Sequence, residues 1–322
     1  MEEDNPNVLI PGAGGAAGIG AIKSLRLAHY SGKVISTDIN PLSAGLYLAD
    51  RGYIVPAADD SRFMSSIVEI IHNDDIEVIL PTSGFDIVPY SQNKEELRNL
   101  GVVPVISDYS AIESCTNKLK FYSLLKNHFE LPYTSPEISE INDFPCIVKP
   151  IYGKGSRNVF LCSDLHELTQ ITSKYDGMLV QEYLPGKEYT VDVMSDLEGH
   201  ALFAIPRERI EVKSGISSKG RVVKSKELIR TSMDLVNYLG LIGPSCVQMK
   251  LDSHGLPKIL EVNPRMGGAT IMATYAGANF PKIVVDLVKG EDVALPTIRE
   301  ITVVRYYDEV VLDDDSIIGR FT

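Results

Sequence analysis

The carboxyl-terminal part of the chain places an acid, an amide and a guanidinium within five residues, in the stretch EVNPRMGG from Glu261 to Gly268. An earlier strand-like run, CVQMK, carries Gln248, and the SHGLP sequence between the two runs is typical of a tight turn. Because Glu261 and Asn263 are two residues apart, their side chains share one face of a strand, and Gln248 can reach that face across the hairpin.

These three side chains suit a magnesium ion. Carboxylate and amide oxygens in small number are ligands that Mg²⁺ accepts, with phosphate and water completing its shell. A folding role explains them less well, because buried polar groups need partners and a lone buried Glu would take up a proton. Gln248, Glu261 and Asn263 are therefore predicted to be metal ligands.

A lysine and a glycine-rich turn stand together in CIVKPIYGKGSRN. The strand-like run would bury the stem of Lys149 and hold its ammonium near a fixed point, and the glycines allow backbone N–H groups to approach a phosphate. Lys149 with Gly153, Lys154 and Gly155 can thus close over a triphosphate. A hairpin with a lysine that reaches solvent is the alternative.

The stretch VQEYLPGKEYTVDV joins two strand-like runs. Backbone groups of Gln181 to Leu184 can face an adenine edge, and Glu188 on the following strand can accept hydrogen bonds from ribose hydroxyls. The alternative is a solvated strand that carries surface acids.

A basic segment runs from Pro206 to Lys224, with six cations against Glu208 and Glu211 in a chain of net charge −12. Its glycines, Gly215 and Gly220, favour an anion-binding loop, and a solvated charged face is the alternative.

The opening IPGAGGAAGIG lies where a first strand turns into a first helix, as in dinucleotide-binding folds. From Gly12 it reads G-x-G-x-x-x-G, one residue longer than the nucleotide fingerprint, and Asp38 is followed by the turn sequence INP. A tight turn that faces a substrate through Gly14 and Gly15 is favoured over nicotinamide binding.

Short apolar runs alternate with amphipathic stretches from residue 8 to about 112, which predicts a parallel sheet with helices on both faces. From residue 113 a helix over CTNKLKFYSLLKNHF carries Lys118, and the later strands alternate apolar and polar residues, as antiparallel strands do. Further helices are predicted from about 164 to 173 and from about 225 to 239.

Composition excludes several classes of function. The 322 residues, 44% hydrophobic and 23% charged, fit two or three globular units, and no apolar run approaches the ~20 residues of a membrane span. The negative charge disfavours nucleic acid and anionic membranes as partners. Four isolated cysteines predict reduced buried thiols in a cytoplasmic protein.

The order of these motifs resembles that of the ATP-grasp superfamily, specifically its carbamoyl-phosphate-synthase large-subunit-like branch. The motifs are, in order, Asn117 with Lys118, IVKP, the glycine loop, QEYLPGKEYTVDV, VQ and EVNPR. SAGLYLADRGYIVP is similar to the N-terminal domain of that branch. The resemblance covers nearly the whole chain. It implies a Rossmann-like α/β domain over residues 1–112, an ATP-grasp lid subdomain with a linker helix over 113–185, and a catalytic α+β subdomain with a mixed or antiparallel sheet over 186–322.

The resemblance also implies roles for individual residues. Lys118 and Lys149 would contact ATP phosphates, and a loop containing Gly153, Lys154, Gly155 and Ser156 would cover them. Gln181, Glu182, Tyr183 and Leu184 would line the adenine pocket, with Glu188 at the ribose. Gln248, Glu261 and Asn263 would hold two Mg²⁺ ions, with Mn²⁺ as a substitute, and Arg265 and Lys149 would be the catalytic residues. The expected substrate residues are Gly14, Gly15, Arg207, Arg209, Lys213 and Arg221.

The implied reaction is transfer of the γ-phosphoryl group to a carboxylate, followed by attack of an amine, so the expected partners are small-molecule carboxylates and amines. Phosphorylation of bicarbonate or carbamate is a second possibility, although the chain is long enough for only one of the two units of a complete carbamoyl phosphate synthetase. A non-catalytic ATP-binding regulatory protein is a third. A homodimer is the default expectation for such an enzyme.

Overall fold

The computed structural model describes residues 5–137, 140–141, 143–153, 155 and 157–318. Lys154 and Ser156, two predicted phosphate-loop residues, lie outside the described residues. In the part of the chain that is described, no helix combines the length and apolar character needed to cross a membrane.

The amino-terminal part forms a five-stranded parallel sheet in the order β3-β2-β1-β4-β5. Its strands are β1 (Asn7–Pro11), β2 (Val34–Asp38), β3 (Arg51–Ile54), β4 (Ile76–Ile79) and β5 (Val103–Pro104). Its helices are α1 (Ala16–Leu27), α2 (Gly45–Leu48), α3 (Phe63–Asp74), α4 (Ile87–Gln92), α5 (Lys94–Asn99) and α6 (Tyr109–Thr116). The central strands are nearly fully buried, as expected when helices cover both faces.

A four-stranded antiparallel sheet follows, in the order β6-β9-β7-β8. Its strands are β6 (Thr134–Ser135), β7 (Cys146–Pro150), β8 (Phe160–Cys162) and β9 (Met178–Glu182). Helices α7 (Lys118–Leu125) and α8 (Leu165–Lys174) accompany it. We call this unit the lid sheet.

The carboxyl-terminal part contains a six-stranded antiparallel sheet in the order β14-β13-β10-β11-β12-β15, which we call the catalytic sheet. Its strands are β10 (Glu188–Ser195), β11 (Ala201–Lys213), β12 (Ile216–Val222), β13 (Pro244–Leu251), β14 (Pro257–Asn263) and β15 (Thr302–Val304). The helices of this part are α9 (Lys226–Leu239), α10 (Ile271–Ala276) and α11 (Phe280–Val288).

The two faces of the catalytic sheet differ in chemistry because alternate residues point to opposite sides. One face is apolar: Val191, Val193, Val247 and Val262 share a buried cluster with Leu235 and Val236 of α9. The other face carries the polar residues predicted to do chemistry, and the loop after β14 leads over it into α10.

The first and third parts share one core. Val8, Ile10 and Ala21 belong to the same buried cluster as Phe203 and Phe280. The rings of Phe203 and Phe280 meet edge to face with centroids 5.5 Å apart. The parallel sheet is therefore packed against the catalytic part, which fixes its loops relative to the candidate site.

The predicted fold class is confirmed, and three local predictions need correction. The basic segment is the hairpin β11–β12, not a loop. The helix expected from Cys115 is broken at Asn117, because the Asn117 side chain accepts hydrogen bonds from the backbone N–H groups of Leu119 and Lys120 and so caps α7. Helix α7 ends at Leu125, whereas the pattern extended it to Phe129.

Candidate active site

Strand pairing places the predicted metal ligands on one face of the catalytic sheet. Gln248 of β13 is directly opposite Glu261 of β14, and Asn263 is opposite Cys246. The row through Glu261 and Gln248 continues across the sheet, because Gln248 pairs with Thr190 of β10 and Thr190 pairs with Arg207 of β11. Directly opposed residues share a face, so Glu261, Asn263 and Gln248 meet on the polar face, as predicted from their spacing.

The carboxylate of Glu261 lies among amides and cations. Nδ2 of Asn263 donates to Oε1 of Glu261 at 3.2 Å, and Nη2 of Arg265 donates to Oδ1 of Asn263 at 3.3 Å. The buried Nε of Arg265 has no hydrogen-bond partner among the described residues, and burial lowers the pKa of this guanidinium. This Nε therefore keeps an unused hydrogen-bond donor next to Glu261 and Asn263.

The oxygen donors of Gln248, Glu261 and Asn263 fit Mg²⁺. The part of the chain that is described contains no group of three His, Cys, Asp or Glu residues that could hold a metal. One carboxylate with two amides is a weak ion site without the phosphates of a nucleotide, so the donor set fits an ion that arrives with ATP.

Two lysines face this carboxylate from other parts of the chain. Lys149 is buried in the lid sheet, where its Nζ donates to Oε1 of Gln181 at 2.8 Å. Burial lowers the pKa of Lys149 to about 8, and the charge of Glu261 partly opposes that shift. Lys118, at the start of α7, donates from Nζ to the Gly153 carbonyl at 3.3 Å. Burial also lowers the pKa of Lys118, and the charge of Glu261 partly opposes that shift.

The segment from Gln181 to Leu184 joins the lid sheet to the catalytic sheet. The carboxylate of Glu182 binds Nζ of Lys258 on β14, at 2.6 and 2.8 Å, so this side chain ties the two sheets together. Tyr183 lies under the ammonium of Lys250, 5.2 Å from its ring centroid, and Leu184 is buried. The segment therefore lies at the junction where the resemblance places adenine.

Glu188, the predicted ribose residue, faces the polar side of β10. It accepts a hydrogen bond from Nε2 of Gln248 and lies 3.0 Å from Nε of Arg209. These contacts connect it to a metal-site residue and to the basic hairpin.

The glycine loop and the glycine turn are both described in part. Gly153 accepts the hydrogen bond from Lys118, and Gly155 has φ of +66° with open space where a Cβ would stand. Gly14 donates from its backbone N–H to Oδ2 of Asp38 at 2.7 Å, and a Cβ there would lie 2.2 Å from Oγ of Ser43. Gly15 precedes α1 as its N-cap.

The cations of the basic hairpin have different surroundings. Arg207 is buried and bound to Asp192. Arg209 donates to Thr190 and to the Gly215 carbonyl. Lys213 is exposed and lies 3.4 Å from Glu211, and Arg221 is exposed opposite Glu208. Arg207 and Arg209 thus lie on the polar face, while Lys213 and Arg221 point away from it or lie at its edge.

Arg305 is a further cation at this site that sequence reasoning missed. It follows β15, its Nη1 donates to the Gly268 carbonyl at 2.9 Å, and burial and the charge of Arg207 lower its pKa. No spacing motif surrounds it in TVVRYYDE. The signal that could have found it is an arginine within an alternating strand-like run.

Three family models match parts of the chain. Residues 8–106 match the PylC-like N-terminal domain, residues 128–194 match the RimK-like ATP-grasp domain, and residues 174–310 match "ATP-grasp in the biosynthetic pathway with Ter operon". The two ATP-grasp matches together include all of the residues described above from Lys149 to Arg305.

Solved structures of similar fold cover most of the chain. The biotin carboxylase domain of Hydrogenobacter thermophilus 2-oxoglutarate carboxylase, solved with MgADP and bicarbonate, has a TM-score of 0.71 at 16% identity and covers 92% of this chain and 72% of its own. L-amino acid ligase from Bacillus licheniformis has a TM-score of 0.67 at 18% identity over 92% and 78%. N5-carboxyaminoimidazole ribonucleotide synthetase from Thermotoga maritima has a TM-score of 0.67 at 16% identity over 91% and 78%.

The fold and the site are those of an ATP-grasp protein, and residues 128–310 match ATP-grasp family models. The matched family and the similar structures are ADP-forming C–N ligases that use ATP and Mg²⁺, so the predicted enzyme class and cofactors are confirmed. The narrower carbamoyl-phosphate-synthase-like branch stays a prediction.

Proposed function

We propose that this protein is an ATP- and Mg²⁺-dependent carboxylate–amine ligase. A carboxylate oxygen of the substrate attacks the γ-phosphorus of ATP, which gives an acyl phosphate and ADP. An amine then attacks the carbonyl carbon and expels phosphate, and the bond formed is an amide. The observation that carries the proposal is that Asn263 hydrogen-bonds to both Glu261 and Arg265, and that the charge of Glu261 acts on Lys118, Lys149 and Arg265.

The protein's part in such a reaction is charge placement. Phosphoryl transfer needs the reactants held in line and the developing charge neutralised, and it needs no protein nucleophile. In this proposal Lys118 and Lys149 hold the phosphates from the lid side, and Arg265 holds the acyl oxygen or the transferred group. Gln248, Glu261 and Asn263 would hold Mg²⁺, which offsets phosphate charge when it is bound.

The lid sheet has the position needed to exclude water. The charge of Glu261 on the catalytic sheet acts on Lys149 of the lid sheet, and Glu182 of the lid sheet binds Lys258 of β14. Exclusion of water matters here because an exposed acyl phosphate is hydrolysed. Adenine binding at Gln181 to Leu184 and ribose binding at Glu188 belong to the same proposal.

The acceptor would lie between the parallel sheet and the catalytic sheet. Asp86, in the turn after β4, influences the pKa of Arg265, so the two parts face each other there. The neighbouring glycine turn at Gly14 and Gly15 and the arginines 207 and 209 would complete this side. Lys213 and Arg221 could contribute only from the rim.

ADP release tests the proposal. Protein with Mg-ATP is offered a panel of amino acids, other small carboxylates and bicarbonate, with hydroxylamine as a general amine that traps acyl phosphates as hydroxamates. We expect ADP with at least one carboxylate, and at least a 100-fold loss in Glu261→Gln with the fold unchanged. Glu208→Gln is the matched control, because Glu208 lies on the other face of the same sheet and binds Lys187.

The results of the ADP-release assay distinguish the candidate functions. ADP release at background with the whole panel, while Mg-ATP still binds, would support a non-catalytic nucleotide-binding protein. ADP release with bicarbonate alone would support the carbamoyl-phosphate-synthase-like reaction. An unchanged rate in Glu261→Gln would contradict the metal assignment.

A further inference from the structure

Arg207 is a buried guanidinium with one nitrogen unused. It is 1% exposed, and its Nε and Nη2 bind the two oxygens of Asp192 at 2.5 and 3.0 Å. Its Nη1 is enclosed and has no hydrogen-bond partner among the described residues. An arginine nitrogen left unpaired in the interior costs free energy, which an acceptor at this point would recover.

Asp192 binds the Nε and Nη2 edge of this guanidinium, so Nη1 lies on the side away from it. This fully buried carboxylate also accepts hydrogen bonds from Oγ1 of Thr270 at 2.8 Å and from Sγ of Cys246 at 3.2 Å. Four donors therefore surround it, and they fix the plane of the Arg207 guanidinium. Nη1 is held in place for a ligand from outside the pair.

Arg305, which follows the edge strand β15, adds a second positive charge that the charge of Arg207 reaches. Its backbone N–H donates to the Ser218 carbonyl at 2.9 Å and its Nη1 to the Gly268 carbonyl at 2.9 Å, so both its ends are anchored. Burial is the larger cause that lowers the pKa of Arg305, and the charge of Arg207 lowers it further. With Asp192 as one carboxylate, the three groups carry a net positive charge.

This positive pair is separate from the phosphoryl site. Arg207 stands three strands from Glu261 along one row, Glu261–Gln248–Thr190–Arg207, about 14 Å at the usual strand spacing. Arg265 and Gly268 lie on the one loop that leads from the phosphoryl site to Arg305. A small substrate held at Arg265 would thus extend toward the pair.

We propose that Arg207 and Arg305 form a second anion subsite, which receives an acidic group of the carboxylate substrate other than the one that is phosphorylated. The substrate class is therefore a diacid: a dicarboxylate, or a carboxylate that carries a phosphate. Guanidinium groups suit both anions because their N–H groups match the oxygen spacing. This inference rests on the proposed ligase function and names its acceptor class.

Calorimetric titration tests the subsite without turnover. Malonate, succinate and glutarate are compared with propanoate, butanoate and pentanoate, each in the presence of Mg²⁺ and a non-hydrolysable ATP analogue, and inorganic phosphate serves as a further probe. We expect at least one of the dicarboxylates to bind at least 10-fold more tightly than its matched monocarboxylate. Arg305→Ala should remove that preference, and Arg305→Lys should keep part of it.

Lys219→Ala is the control. Lys219 lies with Arg207 in the hairpin β11–β12, carries the same charge as Arg305 and is bound to Glu211 on the surface. This variant should keep the preference. Equal behaviour of Arg305→Ala and Lys219→Ala, or no preference in the wild-type protein and no binding of phosphate, would overturn the subsite. If Arg305→Ala does not fold, Arg305→Lys and Arg305→Gln decide by the same comparison.

The two proposals fail separately. A protein that binds dicarboxylates through Arg305 but never releases ADP keeps the subsite and loses the ligase function. A protein that releases ADP equally well with monocarboxylates, and is unaffected by Arg305→Ala, keeps the ligase function and loses the subsite.

Discussion

Nζ of Lys149 donates to Oε1 of Gln181 at 2.8 Å in the interior of the lid sheet, and Nε2 of the same amide donates to Oγ1 of Thr134 at 2.8 Å. The amide satisfies one donor of the ammonium and supplies no negative charge. Burial therefore dominates and lowers the pKa of Lys149 to about 8. The lysine is held ready for the charge of a phosphate.

Nucleotide affinity should depend on the protonation of Lys149. If the ammonium form binds phosphate, the dissociation constant of Mg-ATP rises as pH passes above about 8, by about tenfold between pH 7 and 9. Titrations of the free protein at a series of pH values measure this. Lys149→Arg should flatten the curve, because a guanidinium stays charged over the range. A flat wild-type curve would contradict the assignment.

Loss of the α7 cap should weaken nucleotide binding. In Asn117→Ala, α7 loses the hydrogen bonds at Leu119 and Lys120, and Tyr152 loses the hydrogen bond from Asn117 at 2.6 Å. We expect a stability loss of about 1 kcal/mol and a several-fold weaker Mg-ATP affinity, because Lys118 begins the uncapped turn. Ser225→Ala, which removes the cap of α9 on the apolar side of the catalytic sheet, should leave Mg-ATP affinity unchanged. Equal effects on affinity would show that the cap acts only on stability.

Breaking the Asp192–Arg207 pair should lower the free energy of unfolding strongly, whereas replacing both residues by apolar ones should change it much less. Asp192→Ala leaves a buried charge without its partner and should lower the free energy of unfolding by about 3–5 kcal/mol. The double variant Asp192→Leu with Arg207→Met should recover most of that loss, because no uncompensated charge remains. Urea unfolding measures both, with Asp60→Ala as a control that breaks an exposed pair with Arg62. A double variant no more stable than Asp192→Ala would contradict this explanation.

The cysteines should be inert to thiol reagents in the folded protein. All four are free and buried, as predicted, and burial raises the pKa of Cys115 and Cys246 to about 12 and that of Cys146 to about 11. At pH 8 the thiolate fraction is then about one in a thousand or less. An aromatic disulfide reagent should find no reactive thiol in the native protein and four in urea. Rapid native reaction would contradict the burial, and fewer than four thiols in urea would reveal a disulfide.

The shared face of Glu261 and Asn263 could be predicted from sequence because it depends on period two alone. Glu261 and Asn263 had to share a face. Gln248 lies opposite Glu261 because the pairing shifts by one residue between Gln248 and Met249, and the length of the turn does not reveal that shift. The parallel sheet was equally accessible, since its strands are short apolar runs separated by amphipathic helices.

Other features depend on contacts that one sequence does not display. The basic segment forms a hairpin in which Arg207 is buried, because Asp192, fifteen residues earlier, neutralises it across the pair of strands. Arg305 joins the site only because β15 pairs with β12 at the edge of the catalytic sheet. Pairing between strands so far apart in the sequence is decided by tertiary packing, which the local pattern of apolar and polar residues does not reveal.

The catalytic sheet carries Glu261 on its polar side and packs its apolar side against α9, and outside the register shift between Gln248 and Met249 the residues of this hairpin alternate between the two sides. A single residue inserted within β13 or β14 would move Val247 or Val262 to the polar side of the sheet. The same insertion would move Gln248 or Glu261 into the apolar core between the sheet and α9. An insertion of the same size in the 252–256 turn would leave both sides as they are. Tolerance to length change along this hairpin should therefore be low in the strands and high at the tip, which a library of single-residue insertions would display as an abrupt boundary.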